Sequence, residues 1–150
     1  MDTKPNDFSV DLGRQVANLS RLNRRFVTKR LGSYGLAGTM HMFILELNLH
    51  PGSSQDALST RFLLDKGNVA RRARQLEDMG YIIRNVNQDD RRQYQLYLTD
   101  KGKALVPVIR ACLHEWSDII GEGLSNEDRI NASRLMAHMT DAATKHLENL

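Results

Sequence analysis

Between Asp65 and Gly80 the chain reads Asp-Lys-Gly-Asn-Val-Ala-Arg-Arg-Ala-Arg-Gln-Leu-Glu-Asp-Met-Gly. Val69, Ala73 and Leu76 recur at four and three, the period of one buried helix face. Asp65 is placed to cap a helix over Lys66–Met79, and Gly80 to end it. With those apolar positions turned inward, Lys66, Gly67, Asn68, Ala70, Arg71, Arg74 and Gln75 point outward. Such a face can read a base-pair edge: arginine pairs in bidentate fashion with guanine, and asparagine or glutamine with adenine. Gly67 and Ala70 would let the backbone approach closely, and the free N–H groups of a helix start suit a phosphate. The same pattern also fits an amphipathic helix with an ordinary solvated face.

A second cluster of chemistry-bearing residues shifts the balance. Asn87-Gln88-Asp89-Asp90-Arg91-Arg92 lies between two runs of β-formers, Tyr81–Val86 and Tyr94–Leu98. That arrangement predicts a two-stranded hairpin with a charged tip. Asp90, Arg91 and Arg92 would sit where a minor groove runs beside a helix docked in the major groove, and narrow minor grooves attract arginine. Asp90 could also pair with Arg92 and fix the loop.

The elements that must position these two clusters are legible as periodicities. Phe8, Leu12, Val16, Leu19, Leu22 and Phe26 step by three and four, predicting a long helix to Leu31 that Asp7 or Ser9 caps and Gly32 ends. A helix over Leu36–Asn48 would bury Leu36, Met40, Phe43, Ile44 and Leu47, with Pro51-Gly52 as its stop. A short helix follows Ser53-Ser54-Gln55, burying Ala57, Leu58 and Phe62. After the hairpin, a helix begins at Asp100 with Leu105, Val108, Ile109, Cys112, Trp116 and Ile119 on one side and Pro107 near its first turns. Gly121 and Gly123 break it. Ser125 with Asp128 forms an acidic capping box for a last helix carrying Ile130, Leu135, Met136, Met139, Ala143 and Leu147.

The expected fold class is mainly α with a small β wing: a winged helix-turn-helix at residues 34–100, flanked by helices at 1–33 and 101–150. A helix-turn-helix sets its second helix in the major groove, where phosphate contacts fix register and base contacts fix sequence. The terminal helices carry more apolar positions than so small a lobe could cover, which favours pairing with a second copy.

Composition excludes other classes. At 150 residues, 41% hydrophobic and 26% charged, the chain can build a core and is poorly described as a disordered tail. No apolar run approaches the ~20 residues of a membrane span, and no secretory signal follows Met1, so a soluble, cytoplasmic protein is expected. The single cysteine, Cys112, excludes an internal disulfide and any zinc site of several thiolates. Net charge runs +4, −2, +4 and −3 over residues 1–31, 32–60, 61–103 and 104–150, a basic middle and an acidic end. No nucleophile-elbow, P-loop, zincin or dinucleotide signature occurs, so no enzyme and no cofactor is expected.

The order of motifs resembles the MarR (multiple antibiotic resistance regulator) family of winged helix-turn-helix transcription regulators. The resemblance is carried by Leu36 through His50-Pro51-Gly52 to Gln55, by Asp56-Ala57-Leu58 through Leu64-Asp65-Lys66-Gly67-Asn68-Val69-Ala70-Arg71, by Leu76-Glu77-Asp78-Met79-Gly80-Tyr81-Ile82, and by Asp90-Arg91-Arg92 with Leu98-Thr99-Asp100-Lys101-Gly102. It spans about residues 8–150. Arg72 departs from it, standing where the family usually has an apolar residue.

The resemblance implies a homodimer, paired through the N-terminal and last two helices, that binds double-stranded DNA at a pseudo-palindrome, as a repressor more often than not. It also implies release by a small anionic aromatic effector held between the dimerisation helices and the DNA-binding lobe. Tyr34, Met40, His41, Phe43 and Trp116 are the candidate lining, although aromatic and methionine side chains at helical spacing usually serve a core. Some relatives sense oxidants through a cysteine near the chain start, but Cys112 falls on the apolar side of a late helix, where thiols are usually inert. Others bind zinc; the mix His41, Cys112, His114 and Glu115 is the one candidate set here, and Cys112 and His114 do not share a face, so no metal is expected. The rival function is a winged-helix protein-interaction or anti-repressor module with weak DNA binding. Arg71, Arg74, Arg91 and Arg92 argue against it, because a neutral partner would not require them.

Overall fold

The computed structural model describes residues 7–148, the first four of them as backbone. The side chain of Phe8 and the residues before Asp7 lie outside the described residues. Two compact units divide the chain between His114 and Glu115.

In the first unit, α1 (Asp7–Leu31) already contains Asp7 and Ser9, the residues expected to cap it. Its apolar stripe also departs from expectation. Val16, Leu19 and Leu22 are exposed, Leu22 by 55%, whereas Val27 and Leu31 in the last turns are buried. Only the end of the helix therefore meets the core. A 3-10 turn over Gly32–Tyr34 follows.

The second helix, α2 (Met40–Leu49), starts later than the Leu36 its periodicity suggests. Gly35 and Gly38 adopt φ of +75° and +59°, left-handed backbone that a right-handed helix cannot include and that glycine adopts without steric cost. Leu36 is nevertheless buried, packed from the connection rather than from the helix. Met40, Phe43, Ile44 and Leu47 are buried as their spacing requires.

β1 (Ser53–Ser54) leads into α3 (Gln55–Phe62), capped by the Ser54 hydroxyl accepting from Ala57 N–H at 3.0 Å. Leu58 is fully buried and Phe62 half-buried, stacked on Phe43 at 5.3 Å between centroids, while Ala57 is exposed. Leu63, at φ +51°, turns the chain into α4 (Lys66–Asp78). β2 (Ile82–Val86) and β3 (Tyr94–Leu98) form the hairpin. The sheet has three strands rather than the expected two: its order is β1-β3-β2, all antiparallel, with Ser53 opposite Leu96 and Ile82 opposite Leu98. The result is a mainly helical winged helix-turn-helix.

α5 (Asp100–Ile120) buries Gly102, Leu105, Val106, Ile109 and Cys112. Pro107 sits past its first turn and is exposed, so one i→i−4 bond is missing there. Of the residues expected on its inner side, Val108 and Trp116 are half-buried and Ile119 is exposed. In the second unit the Ser125–Asp128 capping box opens α6 (Asn126–Leu147) with both reciprocal bonds in place. The Arg129 guanidinium closes the turn before it by donating to Gly121 O at 2.8 Å. No residue of α6 is buried; Ile130, Leu135, Met136 and Leu147 are 42–68% exposed. Among the described residues no helix is long and apolar enough to cross a membrane.

Candidate nucleic-acid interface

The helix that carries the basic face is held at both ends by local chemistry. The Asp65 carboxylate accepts from the backbone N–H of Asn68 at 2.8 Å and from its side-chain amide at 2.6 Å. The backbone bond, then the side-chain bond and finally the nearby Arg71 charge hold the Asp65 carboxyl below the usual carboxylate range. At the other end Tyr81 N–H donates to Leu76 O at 2.9 Å and Gly80 N–H to Glu77 O at 2.8 Å, with Gly80 at φ +77°. That pair of bonds is the Schellman arrangement, which needs a left-handed residue at the helix exit. The preceding helix is tied down as well. Glu46 of α2 receives Arg61 Nε of α3 at 3.2 Å and His50 Nδ1 at 2.9 Å, and the Ser59 hydroxyl donates to Leu64 O across the turn at 2.5 Å.

On the outward side Lys66, Gly67, Arg71, Arg74 and Gln75 are exposed, and Asn68 and Ala70 half-buried. Lys66 pairs with Asp56 at 3.3 Å. Asn68 is internally committed: its amide donates to Asp65 and its carbonyl oxygen accepts from the Arg71 guanidinium. The amide keeps a second N–H and the oxygen a second lone pair beyond these two bonds. The side chains of Arg74 and Gln75 form no hydrogen bond or ion pair among the described residues.

The wing tip is set by backbone capture rather than by paired side chains. Asn87 N–H donates to Gln93 O at 2.9 Å and Gln93 N–H to Asp90 O at 3.0 Å. The Asp90 carboxylate accepts the backbone N–H of Arg92 at 3.0 Å, not its guanidinium. The guanidiniums of Arg91 and Arg92 are exposed and form no ion pair among the described residues. At the wing base Arg84 bonds Glu77 of α4 at 2.7 Å and lies 5.1 Å from the Tyr94 ring centre.

The five residues suggested for an effector site are scattered. Phe43 is wholly inside the core, and Tyr34 is exposed, its carbonyl accepting the Tyr81 hydroxyl at 2.7 Å. Trp116 belongs to the second unit. Met40 alone of the five lines the groove of about 600 Å³ between the α1–α2 connection and α4, together with Gly35, Gly38, Arg71, Arg72 and Gln75. His41 is buried; burial lowers its pKa, partly offset by a hydrogen bond to Gly38. Cys112 is buried, and no group of three or more His, Cys, Asp or Glu able to hold a metal occurs among the described residues.

The lowered His41 pKa fixes the sign of a pH effect. The unfolded chain takes up a proton near the ordinary imidazole value, 6.5, before the folded one does. Stability therefore falls as pH drops below that value, with a slope of at most about 1.4 kcal/mol per pH unit from this residue. Urea midpoints at pH 7.5 and 5.5 should diverge for the natural chain more than for His41→Gln; equal divergence would remove His41 as the cause.

Residues 34–93 match the family model of the MarR family. Over 113 residues the chain is 28% identical to the HTH-type transcriptional regulator BilQ of Clostridioides difficile (strain CD3), covering 75% of this chain and 76% of that one. The structure matches that of a MarR transcriptional regulator from Methanosarcina mazei Go1 with a TM-score of 0.86 and 29% identity, covering 89% of this chain and 96% of the other. It also shares the fold of the transcriptional repressor CouR bound to a 23-mer DNA duplex, at a TM-score of 0.80 and 22% identity over 93% and 99% of the two chains. The lobe is thus of the winged-helix, DNA-binding class. Residues 34–93 carry the MarR-family match, and the chain is similar to transcriptional regulators of that family over most of its length.

Proposed function

We propose that the protein is a repressor that binds a pseudo-palindromic DNA site as a homodimer and is released by a small anionic aromatic molecule in the cytoplasm. The observation that carries the DNA reading is the pairing of two unneutralised basic surfaces on one lobe. Arg74 and Gln75 stand exposed on a doubly capped helix, and Arg91 and Arg92 stand exposed on a wing tip whose shape Asp90 fixes. In this reading residues 34–100 form the DNA-binding part, and residues 1–33 and 101–150 the dimerisation part. Lys66, Gly67 and Ala70 bring the start of α4 to the groove floor, Arg71, Arg74 and Gln75 read bases, and Arg91 and Arg92 reach the minor groove. Asn68 orients Arg71 with two of its bonds and keeps one N–H and one lone pair for a base, and Asp90 orients the wing. The exposed apolar side chains of α1 and α6 support pairing of two copies, which would set half-sites about 34 Å apart. The proposed effector, a small anionic aromatic molecule, would lower DNA affinity.

Selection from randomised duplexes followed by titration of the selected site against salt tests the reading. Affinity should fall steeply as salt rises, because each neutralised phosphate releases counterions. Arg74→Ala should relax preference at one base pair by about 1–3 kcal/mol, while Arg92→Ala should weaken all sequences alike. Asn68→Ala should produce a milder version of Arg71→Ala at the same base pair. A flat salt response with no selected sequence would instead favour a protein-interaction module.

A further inference from the structure

The groove between the α1–α2 connection and α4 contains a cation that nothing in the fold neutralises. Arg72 is half-buried on the flank of α4, and its Nε is fully enclosed with no hydrogen-bond partner. Its guanidinium forms no ion pair among the described residues. Asp78, the one carboxylate in the groove lining, stays outside ion-pair distance of it. Arg71 shares the lining, and its charge, with that of Arg24 on α1, adds to burial in disfavouring the charged form of Arg72. Arginine does not escape such a position by losing its proton. A half-buried guanidinium with two like charges near it and no acceptor from the fold favours an anion beside it.

The neighbouring backbone makes room for that guanidinium. Gly38 presents bare backbone: a Cβ there would lie 3.2 Å from Arg72 Nη1, so glycine lets the guanidinium lie close against the chain at the groove wall. The groove that Arg72 and Gly38 line opens beside Arg71 and Gln75.

We infer that Arg72, beside the bare backbone at Gly38, forms an oxyanion site that takes a phosphate group. The group is either a phosphate of the DNA backbone, adding one anchoring contact beside the base-reading face, or a free phosphate. The first source rests on the DNA-binding reading above; the second does not.

The test uses the full chain and two variants, Arg72→Met and Arg72→Lys. In one arm, binding to the selected duplex is followed across salt concentration. A backbone contact predicts that Arg72→Met loses affinity for all sequences alike and that the slope of log affinity against log salt falls by about 1. Arg72→Lys should recover part of both. In the other arm, thermal unfolding is followed as inorganic phosphate replaces chloride at constant ionic strength. A free-phosphate site predicts a midpoint that rises with phosphate for the natural chain and not for Arg72→Met. Without phosphate, Arg72→Met should unfold no earlier than the natural chain, which shows that the variant is folded. Either positive arm supports the site and names its source. A natural chain that binds DNA, with both arms unchanged in Arg72→Met, overturns it. Failure of the natural chain to bind any duplex overturns the DNA reading and leaves the phosphate arm to decide the site.

Discussion

Gly102→Ala is expected to destabilise the protein by about 3 kcal/mol or more. A Cβ at this position would lie 2.1 Å from the carbonyl oxygen of Tyr81. That neighbour is backbone and cannot swing aside as the tip of a side chain would. The Tyr81 carbonyl already accepts Thr99 N–H at 3.0 Å, and Gly102 N–H donates to the Thr99 hydroxyl at 3.1 Å. Relief would require the first turn of α5 to lift off the start of β2, exposing Leu105 and Ile82. Chemical denaturation of purified Gly102→Ala measures the loss directly, and a change under 1 kcal/mol would show that the junction yields where the packing says it should not. DNA affinity should fall with it, since the same junction holds the end of α4.

Converting exposed apolar positions of α6 to acids should have an equally large effect of another kind. Met136 and Leu147 are 42% and 57% exposed, so Met136→Asp with Leu147→Asp removes little burial from a single copy. The capping box that opens α6 is untouched. Under the proposed pairing, each acid would be forced into a contact between copies without a partner charge, which the interface cannot tolerate. Light scattering should report a dimer for the natural chain and a monomer for the variant. Affinity for the selected duplex should drop at least about a hundredfold, the order of the gain that linking two binding events provides. A variant that remains dimeric would place the contact elsewhere, and a natural chain that is monomeric would end the two-fold reading.

What could be read before folding was whatever depends on near neighbours. The Asp65 cap, the Gly80 exit and the Ser125–Asp128 box each involve residues within five positions of one another, and all three occur. The core of α2 and α4 followed from spacing alone. Features that depend on distant partners escaped. Ser53 and Ser54 show no strand pattern, and they become a strand because Leu96 and Gln95, far along the chain, supply the ladder. The late start of α2 depends on left-handed backbone at Gly35 and Gly38, which composition does not reveal. In the recognition face, residue types indicated outward orientation but not engagement. That Asn68 is bonded on both sides while Arg74 is not is a matter of rotamers. Arg72 stood out as a residue of the wrong type for its place, and only the enclosing groove shows that it lacks an acceptor.

Tyr81 gathers several of these contacts into one residue. Its N–H ends α4 on Leu76, and its carbonyl receives the residue before α5. Its hydroxyl donates to Tyr34 at the turn after α1, and its ring lies 4.9 Å below the Lys101 ammonium, which in turn donates to Met79 O at 2.8 Å. One side chain and its peptide groups thus fasten the ends of three helices to the first residue of the wing. Such a fastening behaves as a pivot with no slack: a tilt at the foot of α5 or α1 swings the far end of α4 by leverage, without any change in the face that α4 presents.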